Sequence, residues 1–312
     1  MKIVFFGTPD YVLPVLVKIH KSFVSGPGKS PIVAVVTQSP KPMGRKQILT
    51  YTPIDKWAHE HKINTYYNPE DLLKEKVKFD LGIIADYGKI ISKKVIGLFA
   101  NGILNIHFSM LPKYRGASPV QAAILSGDEE IGVTIFKIDE LLDHGPILSQ
   151  FTEEILPPDT WGSLKIRLFE RAKEVLIELI DPYLRGKIKL REQNHGEATY
   201  TTLVKKEHGF IPPNYLKYAL EGKSLKEDWK IGFIKDFSLA PSPSSLEKFI
   251  RALDPWPQAW TNVTIGKGTK RLKMIKSHLE EEKLVLDEVQ LEGKNPVSWK
   301  KFKMGYPKVA FE

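Results

Sequence analysis

Short apolar runs separated by amphipathic stretches fill the first 185 residues of the chain. The runs at residues 2–6, 32–36, 81–85 and 102–107 are rich in Val, Ile and Leu, as expected of strands buried on both faces of a sheet. Stretches with helical periodicity lie between them, and the longest spans residues 163–184. Strands that alternate with helices in this way predict an α/β fold with a doubly wound, mainly parallel sheet.

Hydroxyl residues followed by proline or by apolar runs mark the expected starts of helices. Thr8 is expected to cap the first helix, and Ser118 a later one, because each directly precedes a proline suited to the first helical position. Ser244 or Ser245 is expected to cap a short helix over residues 246–253.

The pattern changes after residue 186. Residues 187–206 are polar and mostly lack periodicity, which predicts a linker between an N-terminal domain of residues 1–186 and a C-terminal domain of residues 207–312. Three short alternating runs follow near the C-terminus, at residues 259–265, 270–278 and 283–289. They predict a small antiparallel β unit with one basic face.

Composition narrows the class of protein. The 312 residues are 42% hydrophobic and 27% charged, which is typical of a soluble globular protein. No apolar run approaches the roughly 20 residues that span a bilayer. The chain has no cysteine, which excludes disulfides, thiolate metal sites and a cysteine nucleophile and fits a reducing cytoplasm. The net charge of +9 favours a polyanionic partner such as nucleic acid, although a lysine-rich surface also explains it.

Polar side chains gather where the run at residues 102–107 ends and in a later loop. Asn105 and His107 alternate along a strand and therefore face the same side. The carboxyl ends of strands form the ligand crevice in open α/β sheets. An amide donor, an imidazole and the carboxylate of Asp143 suit attack on a carbonyl without a covalent intermediate. The residues alone leave equally open that Asn105 and His107 cap the strand end and that Asp143 is an ordinary loop carboxylate.

Two other chemistries rest on weaker patterns. The side chains that could hold a divalent ion are those of His107, Asp139, Glu140, Asp143 and His144. Their spacing matches no zinc motif such as H-E-x-x-H, so the expectation is that no metal is bound. Hydrolysis through Ser109 or Ser118 lacks the G-x-S-x-G elbow, and Ser118 is better explained as a helix cap.

Two basic stretches are candidates for contact with a phosphate backbone. Their cationic side chains are those of Lys41, Arg45 and Lys46 in the loop at residues 37–50, and of Lys270, Arg271 and Lys273 in the β unit. Trp256 and Trp260 lie near the second group along the chain. An ordinary solvated loop and aromatic residues of a core explain the same patterns.

Several motifs carry a family resemblance. They are FFGTPDYVLPVL, VVTQSPKPMGRK, NIHFSMLPKYRGASPVQAAILSGD, GVTIFKID, LDHGPIL, IRALDPWPQAW and LDEVQLEGK. With them the chain resembles the methionyl-tRNA formyltransferases, the tRNA-acting branch of the folate-dependent formyltransferase family. The resemblance covers most of the chain apart from about residues 212–242.

The resemblance implies an enzyme of translation initiation. It would transfer a formyl group from 10-formyltetrahydrofolate to the α-amino group of methionyl-initiator tRNA, as a cytoplasmic monomer without a metal and without a membrane partner. Asn105 would stabilise the oxyanion, His107 would assist proton transfer, and Asp143 would orient His107 or relay the proton. The rival members of the family are amino-sugar N-formyltransferases, and a non-catalytic RNA-binding relative is a third reading.

The resemblance also implies where the two substrates bind. The formyl donor, a tetrahydrofolate, would lie on a turn formed by Ser109, Met110, Leu111 and Pro112. The basic loop around Arg45 would engage the tRNA together with a C-terminal β-barrel of OB type, shortened in this chain.

Three positions depart from the family pattern. Leu141 stands where a glycine is usual, His144 where a threonine is usual, and Asp86 where an alanine is usual. Leu141 is expected to stiffen the loop before Asp143, and His144 to add a titratable group beside it. Asp86 is expected to bring a carboxylate near the folate crevice.

Overall fold

A computed structural model describes residues 1–26, 29–44 and 46–311 of the chain. Its α-helices are α1 (Leu13–Phe23), α2 (Pro53–Glu60), α3 (Lys93–Ile96), α4 (Pro119–Ser126), α5 (Trp161–Leu184), α6 (Pro213–Leu220), α7 (Pro243–Ala252) and α8 (Trp299–Gly305). Short 3₁₀ helices span Asp10–Val12, Pro69–Glu75, His195–Glu197 and Lys206–Gly209. No helix in these described ranges is both long and apolar enough to cross a membrane.

The strands before α5 include the four apolar runs that the sequence predicted, with ends that agree to within one residue. They are β1 (Ile3–Gly7), β2 (Ile32–Val36), β3 (Lys41–Met43), β4 (Ile48–Thr50), β5 (Asn64–Tyr66), β6 (Leu81–Ala85), β7 (Ile103–His107), β8 (Arg115–Gly116), β9 (Glu130–Lys137) and β10 (Ile147–Glu154). The strands after α5 are β11 (Tyr200–Thr201), β12 (Trp229–Lys230), β13 (Ser238–Leu239), β14 (Ala259–Ile265), β15 (Gly268–Glu280), β16 (Lys283–Leu291) and β17 (Val297–Ser298).

Seven strands form the central sheet, in the order β10-β9-β7-β6-β1-β2-β5. The pairs β1–β2, β1–β6, β2–β5 and β6–β7 are parallel, whereas β7 and β9 are antiparallel. The predicted mainly parallel α/β sheet is therefore confirmed. Its strands read as continuous apolar runs because residues on both of their faces are buried, as in β1, where all five are.

Contacts divide the chain into two compact units, each built from several segments. The first comprises Met1–Arg115, Gly132–Glu153 and Ile166–Ala198. The second comprises Gly116–Ile131, Glu154–Lys165 and Thr199–Glu312.

One face of the central sheet carries buried apolar side chains and, at the end of β7, two polar ones. Phe6 lies beside Ile84, and Ile84 lies beside Asn105, in the register of β1, β6 and β7. Phe6 and Ile103 belong to a buried cluster, against which Ile84 packs. Because alternate residues of a strand share a face, Asn105 and His107 continue the face of Ile103 to the carboxyl end of β7.

The C-terminal β unit forms a four-stranded antiparallel sheet in the order β14-β15-β16-β17. This confirms the predicted antiparallel unit, here in the form of a sheet of four strands. Val263, Leu272 and Val289 are buried on its inner side. Isolated bridges from Phe210 to Trp260 and from Thr264 to Ala310 involve further residues of β14.

Two of the expected helix caps are wrong or incomplete because their hydroxyls find other partners. Thr8 does not begin a helix, since a 3₁₀ turn with Pro9 at its N-cap precedes α1. The Thr8 hydroxyl instead accepts a hydrogen bond from the Gln38 amide at 3.3 Å. Ser118 does precede α4, but its hydroxyl donates to the Thr202 carbonyl at 2.7 Å instead of capping. Tertiary contacts compete successfully with local caps for such hydroxyls.

The cap of α7 is Ser242, not Ser244 or Ser245. The Ser242 hydroxyl accepts from the Ser245 amide at 3.1 Å, and the Ser245 hydroxyl accepts from the Ser242 amide at 2.8 Å. Pro243 then takes the first helical position, where a missing N–H has no cost. The helix therefore begins three residues earlier than predicted.

We expect Ser242→Ala to destabilise the protein by about 1 kcal/mol, because it leaves an amide of the first turn without its acceptor. The matched control is Ser244→Ala, since Ser244 is exposed within the same turn. Urea unfolding of the two variants measures the difference. Equal stability of both would contradict the assignment of the cap.

Candidate active site

The carboxyl end of β7 carries the first two candidate side chains. Asn105 is half-buried and pairs in register with Ile84 on β6 and Phe136 on β9. His107 is only 6% exposed, and its ring meets the Phe136 ring edge-to-face at 6.5 Å between centroids. The two polar side chains therefore extend a packed face of the sheet and are held by strands on both sides.

The protonation pattern of His107 follows from its partners. Its Nε2 lies 3.0 Å from the Tyr114 carbonyl oxygen. A carbonyl oxygen only accepts, so Nε2 carries the hydrogen. In the neutral ring Nδ1 then has a free lone pair, and it lies 3.6 Å from Oδ2 of Asp143. A proton taken up at Nδ1 would place a cation directly against a carboxylate.

Asp143 reaches His107 from a strained loop. Its φ of +46° lies in the left-handed region, which residues other than glycine adopt at a cost. A Cβ on Gly145, two residues later, would collide with the Lys137 carbonyl oxygen, so the chain passes where only glycine fits. The structure thus brings His107 and Asp143 together although 36 positions separate them in the sequence.

The candidate folate turn lies against β9. The Leu111 amide donates to the Thr134 hydroxyl at 3.3 Å, and that hydroxyl donates to the Ser109 carbonyl at 2.6 Å. Side chains of Ser109 and Leu111 are 1% and 4% exposed, whereas Met110 is 40% exposed. A Cβ on Gly132 would collide with the Met110 amide, so the strand approaches the turn closely. The turn therefore presents Met110 outward, whereas the main-chain groups of Ser109 and Leu111 are bonded within the fold.

His144 bonds to a carboxylate other than that of Asp143. Its Nδ1 lies 2.6 Å from Oδ2 of Asp139, and its ring stacks on the His195 ring at 3.8 Å between centroids. Leu141 is 62% exposed, and its amide donates to Oδ1 of Asp139 at 2.8 Å. Asp139 therefore organises the two residues of this loop that depart from the family pattern.

The alternative chemistries find no support in these contacts. Within residues 1–26, 29–44 and 46–311, no group of three or more His, Asp and Glu side chains is placed to hold a metal ion. The hydroxyls of Ser109 and Ser118 donate to main-chain carbonyls, those of Lys113 and Thr202. Neither hydroxyl is therefore set up as a nucleophile.

Asp86, directly after β6, is bonded to a tyrosine of the 3₁₀ helix that follows β1. The Tyr11 hydroxyl donates to Oδ2 of Asp86. Burial of the phenol, together with the nearby Asp86 charge, raises the pKa of Tyr11 above its ordinary value. The expected carboxylate at the crevice therefore has a hydrogen-bond donor that sequence periodicity did not reveal.

Three further polar residues were missed by reasoning from the sequence. Arg115 is 2% exposed and Gln193 is 6% exposed, and they bond to each other through the Gln193 side-chain oxygen. Gln150 bonds to the Leu111 carbonyl of the turn at 3.0 Å. Single polar residues of this kind carry no sequence pattern, so only the fold identifies their partners.

In the first unit, two of the candidate tRNA residues lie on or next to the hairpin of β3 and β4. Lys41 is exposed and donates to the Gln38 side-chain oxygen at 2.9 Å. Lys46 is exposed as well. Arg45 lies outside the described residues.

In the second unit, cations and an indole share one face of the C-terminal sheet. Trp260 pairs in register with Lys273, and Asn262 pairs with Arg271. The Arg271 guanidinium lies 4.1 Å from the centre of the Trp260 ring, within cation–π range. Lys270 is exposed but pairs in register with the buried Val263, so it lies on the other side of the strand. The basic face beside Trp260 therefore consists of Arg271 and Lys273.

Comparisons with known proteins agree on one family. Residues 1–180 match the family described as formyl transferase. The methionyl-tRNA formyltransferase of Thermotoga maritima is 41% identical over 66% of this chain and 66% of its own length. That of Methylacidiphilum infernorum is 36% identical over 88% of this chain and 78% of its own length.

Two solved structures are similar in fold. An N-formyltransferase from Helicobacter canadensis, in complex with folinic acid and dTDP-3-aminofucose, aligns with a TM-score of 0.62 at 20% identity, over 90% of this chain and 88% of that one. Methionyl-tRNA formyltransferase from Clostridium thermocellum aligns with a TM-score of 0.57 at 19% identity, over 93% of this chain and 98% of that one.

Proposed function

The chain belongs to the formyl transferase family, among the methionyl-tRNA formyltransferases, and we propose that it transfers the formyl group of 10-formyltetrahydrofolate to the α-amino group of methionyl-initiator tRNA. The observation that carries this proposal is the bare Nδ1 of His107, 3.6 Å from Asp143 and on the same strand face as Asn105. An amide donor, a base and a carboxylate are what transfer of an acyl group to an amine requires.

Each of the three side chains has a separate task. As the amine nitrogen attacks the formyl carbon, a C–N bond forms and the carbonyl oxygen becomes an oxyanion, to which the Asn105 amide donates. The amine must lose a proton, and Nδ1 of His107 is the basic position of a ring whose Nε2–H is held by Tyr114. Asp143 stabilises the resulting imidazolium. Cleavage of the bond to the folate nitrogen, with return of the proton there, releases tetrahydrofolate.

The donor would lie on the turn of Ser109, Met110, Leu111 and Pro112. Ser109 and Leu111 are buried, so the exposed Met110 side chain is what the turn offers for this contact. A pterin has an apolar ring face, against which a thioether side chain can pack. The donor is a co-substrate, and the proposal needs no metal.

The tRNA would be held by the exposed cations Lys41 and Lys46, together with Arg45 of the same loop, and by Lys270, Arg271 and Lys273 of the C-terminal sheet. Cations neutralise phosphates, and an adjoining indole offers a surface on which a base can stack. We further propose that residues 1–186 carry the chemistry, that residues 207–312 hold the tRNA, and that residues 187–206 join them.

The site requires one copy of the chain. Asn105, His107, Asp143 and the folate turn all belong to the first unit. We therefore propose a monomer, and a cytoplasmic one, because charged initiator tRNA is consumed by translation there.

An amino-sugar N-formyltransferase is the second candidate, since the Helicobacter canadensis protein shares the fold. Its identity to this chain is 20%, against 41% and 36% for the two methionyl-tRNA formyltransferases. An amino-sugar substrate also does not explain why Arg271 and Trp260 are paired on the C-terminal sheet. A non-catalytic RNA-binding relative would have no need for His107 and Asp143 to meet.

The deciding experiment incubates the protein with 10-formyltetrahydrofolate and either methionyl-initiator tRNA or a dTDP-amino sugar. Formyl-methionine released from the tRNA is the expected product. Formylation of the sugar alone would replace the first proposal by the second. No formylation of either acceptor would favour the hypothesis of a non-catalytic RNA-binding protein.

Asn105→Ala should lower kcat by about 10²–10³-fold, because an oxyanion donor acts in the transition state. Affinities for tRNA and for folinic acid should stay within about twofold, since the lost contact is absent from the ground state. The control is Asn101→Ala, which removes an amide bonded to the Asp80 carbonyl before β7 begins. A similar fall of kcat in both variants would argue against the assigned role.

Arg271→Ala should weaken tRNA binding and reduce the slope of log Kd against log salt concentration by about 1, as expected for one lost phosphate contact. Lys276→Ala is the matched control, because its ammonium lies 4.0 Å from the Glu288 carboxylate on the neighbouring strand. Filter binding at several salt concentrations provides the measurement. An unchanged slope for Arg271→Ala would remove this residue from the proposed interface.

A further inference from the structure

Gln193 holds the loop that carries Asp143. Its side-chain nitrogen donates to the Asp143 carbonyl at 3.0 Å and to the Gly145 carbonyl at 2.7 Å. These two carbonyls flank His144, so one amide spans the turn of the loop. Because Gln193 is 6% exposed, water does not compete effectively for these hydrogen bonds.

Arg115 determines which way the Gln193 amide points. Its Nε and Nη2 donate to the Gln193 side-chain oxygen at 3.2 and 2.6 Å. A guanidinium has donors only, so the amide oxygen must face it and the NH₂ group must face the loop. Nη2 also lies 2.8 Å from Nδ1 of His195, and Arg115 is 2% exposed.

Gln150 holds the folate turn in the same manner. Its side-chain nitrogen donates to the Leu111 carbonyl at 3.0 Å and to the Thr134 hydroxyl at 2.9 Å. Its oxygen accepts from the Arg191 guanidinium. Each half of the site is thus fixed by a glutamine whose oxygen is bound by an arginine.

The two arrangements share one short segment. Arg191 and Gln193 lie two positions apart, and the Arg191 main chain exchanges hydrogen bonds of 2.8 and 2.9 Å with Ile147, at the start of β10. Extended residues two apart lie on the same side of a strand. Residues 191–193 therefore reach the folate turn through Gln150 and the Asp143 loop directly.

We propose that Arg191 and Gln193 form a clasp, a pair of positioning residues that keeps the donor turn and the Asp143 loop in fixed relation. The clasp rests on the function proposed above, in which these two elements bind the donor and complete the base. Gln193 keeps Asp143 in its left-handed conformation, and without it the carboxylate leaves Nδ1 of His107. Arg191 acts on donor binding through Gln150.

The clasp predicts that two matched variants lose different properties, one kcat and the other affinity for the donor. Gln193→Glu keeps an oxygen toward Arg115 but sets an acceptor against two carbonyls, so kcat should fall about 10²-fold, as for a misplaced catalytic group. Its affinity for folinic acid, a formyl-folate that serves as probe, should stay within about twofold because the folate turn is untouched. Gln150→Glu should weaken folinic acid binding about tenfold and change kcat at saturating donor less than threefold, since its contacts are to the donor turn.

Hydrogen exchange provides a readout independent of catalysis. Amides of residues 139–145 should exchange faster in Gln193→Glu, and those of residues 109–113 faster in Gln150→Glu. Asn101→Asp is the control, because it also turns a donor to a main-chain carbonyl into an acceptor, outside the site. If Gln193→Glu fails to fold, Gln193→Met, which has no polar group to repel the carbonyls, replaces it in every arm.

Three outcomes would overturn the clasp. They are an unchanged exchange rate at residues 139–145 in Gln193→Glu, an equal loss of kcat and of folinic acid affinity in both glutamine variants, and effects as large in Asn101→Asp. A wild-type protein that formylates no tRNA refutes the proposed function instead. Exchange and folinic acid binding would still decide whether residues 191–193 hold the two elements.

Discussion

The hydrogen bond from His107 Nε2 to the Tyr114 carbonyl is the contact on which the candidate site depends. A carbonyl accepts and never donates, so this one contact selects the tautomer and the orientation of the ring. It directs the only basic nitrogen of the neutral ring toward Asp143. The geometry of the Asp143 loop then sets the distance between Nδ1 and the carboxylate, which is 3.6 Å.

Fixing that loop requires a neutral side chain that both accepts and donates. Gln193 accepts from the buried Arg115 and donates to two carbonyls of the loop. A carboxylate in its place would repel the carbonyl oxygens and add a second negative charge near Asp143. An apolar residue would leave the carbonyls without a donor, which costs about 1–3 kcal/mol for each buried group. An amide supplies an acceptor for Arg115 and a donor for the two carbonyls.

The residues that depart from the family pattern are paired locally. His144 bonds to Asp139 and stacks on His195. The expected titratable group therefore follows Asp143 in the sequence but forms its hydrogen bond with a different carboxylate. Asp86 likewise accepts from Tyr11. Extra charges that have their own partners perturb a neighbouring site less than unpaired ones do.

Local patterns of residues were enough to predict the main helices and strands and to recognise the family. Continuous apolar runs, alternation with a period of 2 and helical spacing with a period of 3.6 residues are local properties. They revealed the mainly parallel sheet, the C-terminal strands and the long helix. The alternation of Asn105 and His107 also indicated a shared face, and motifs identified the relatives.

Which polar groups pair with one another follows from the folded structure alone. Thr8 bonds to Gln38 instead of capping a helix, His107 meets Asp143 from 36 positions away, and Gln193 is buried in a stretch that looks like a linker. A hydroxyl or an amide can pair with almost any donor or acceptor, so the residue type does not name its partner. The partner is chosen when the apolar faces pack and bring distant segments within hydrogen-bond distance, which no local pattern encodes.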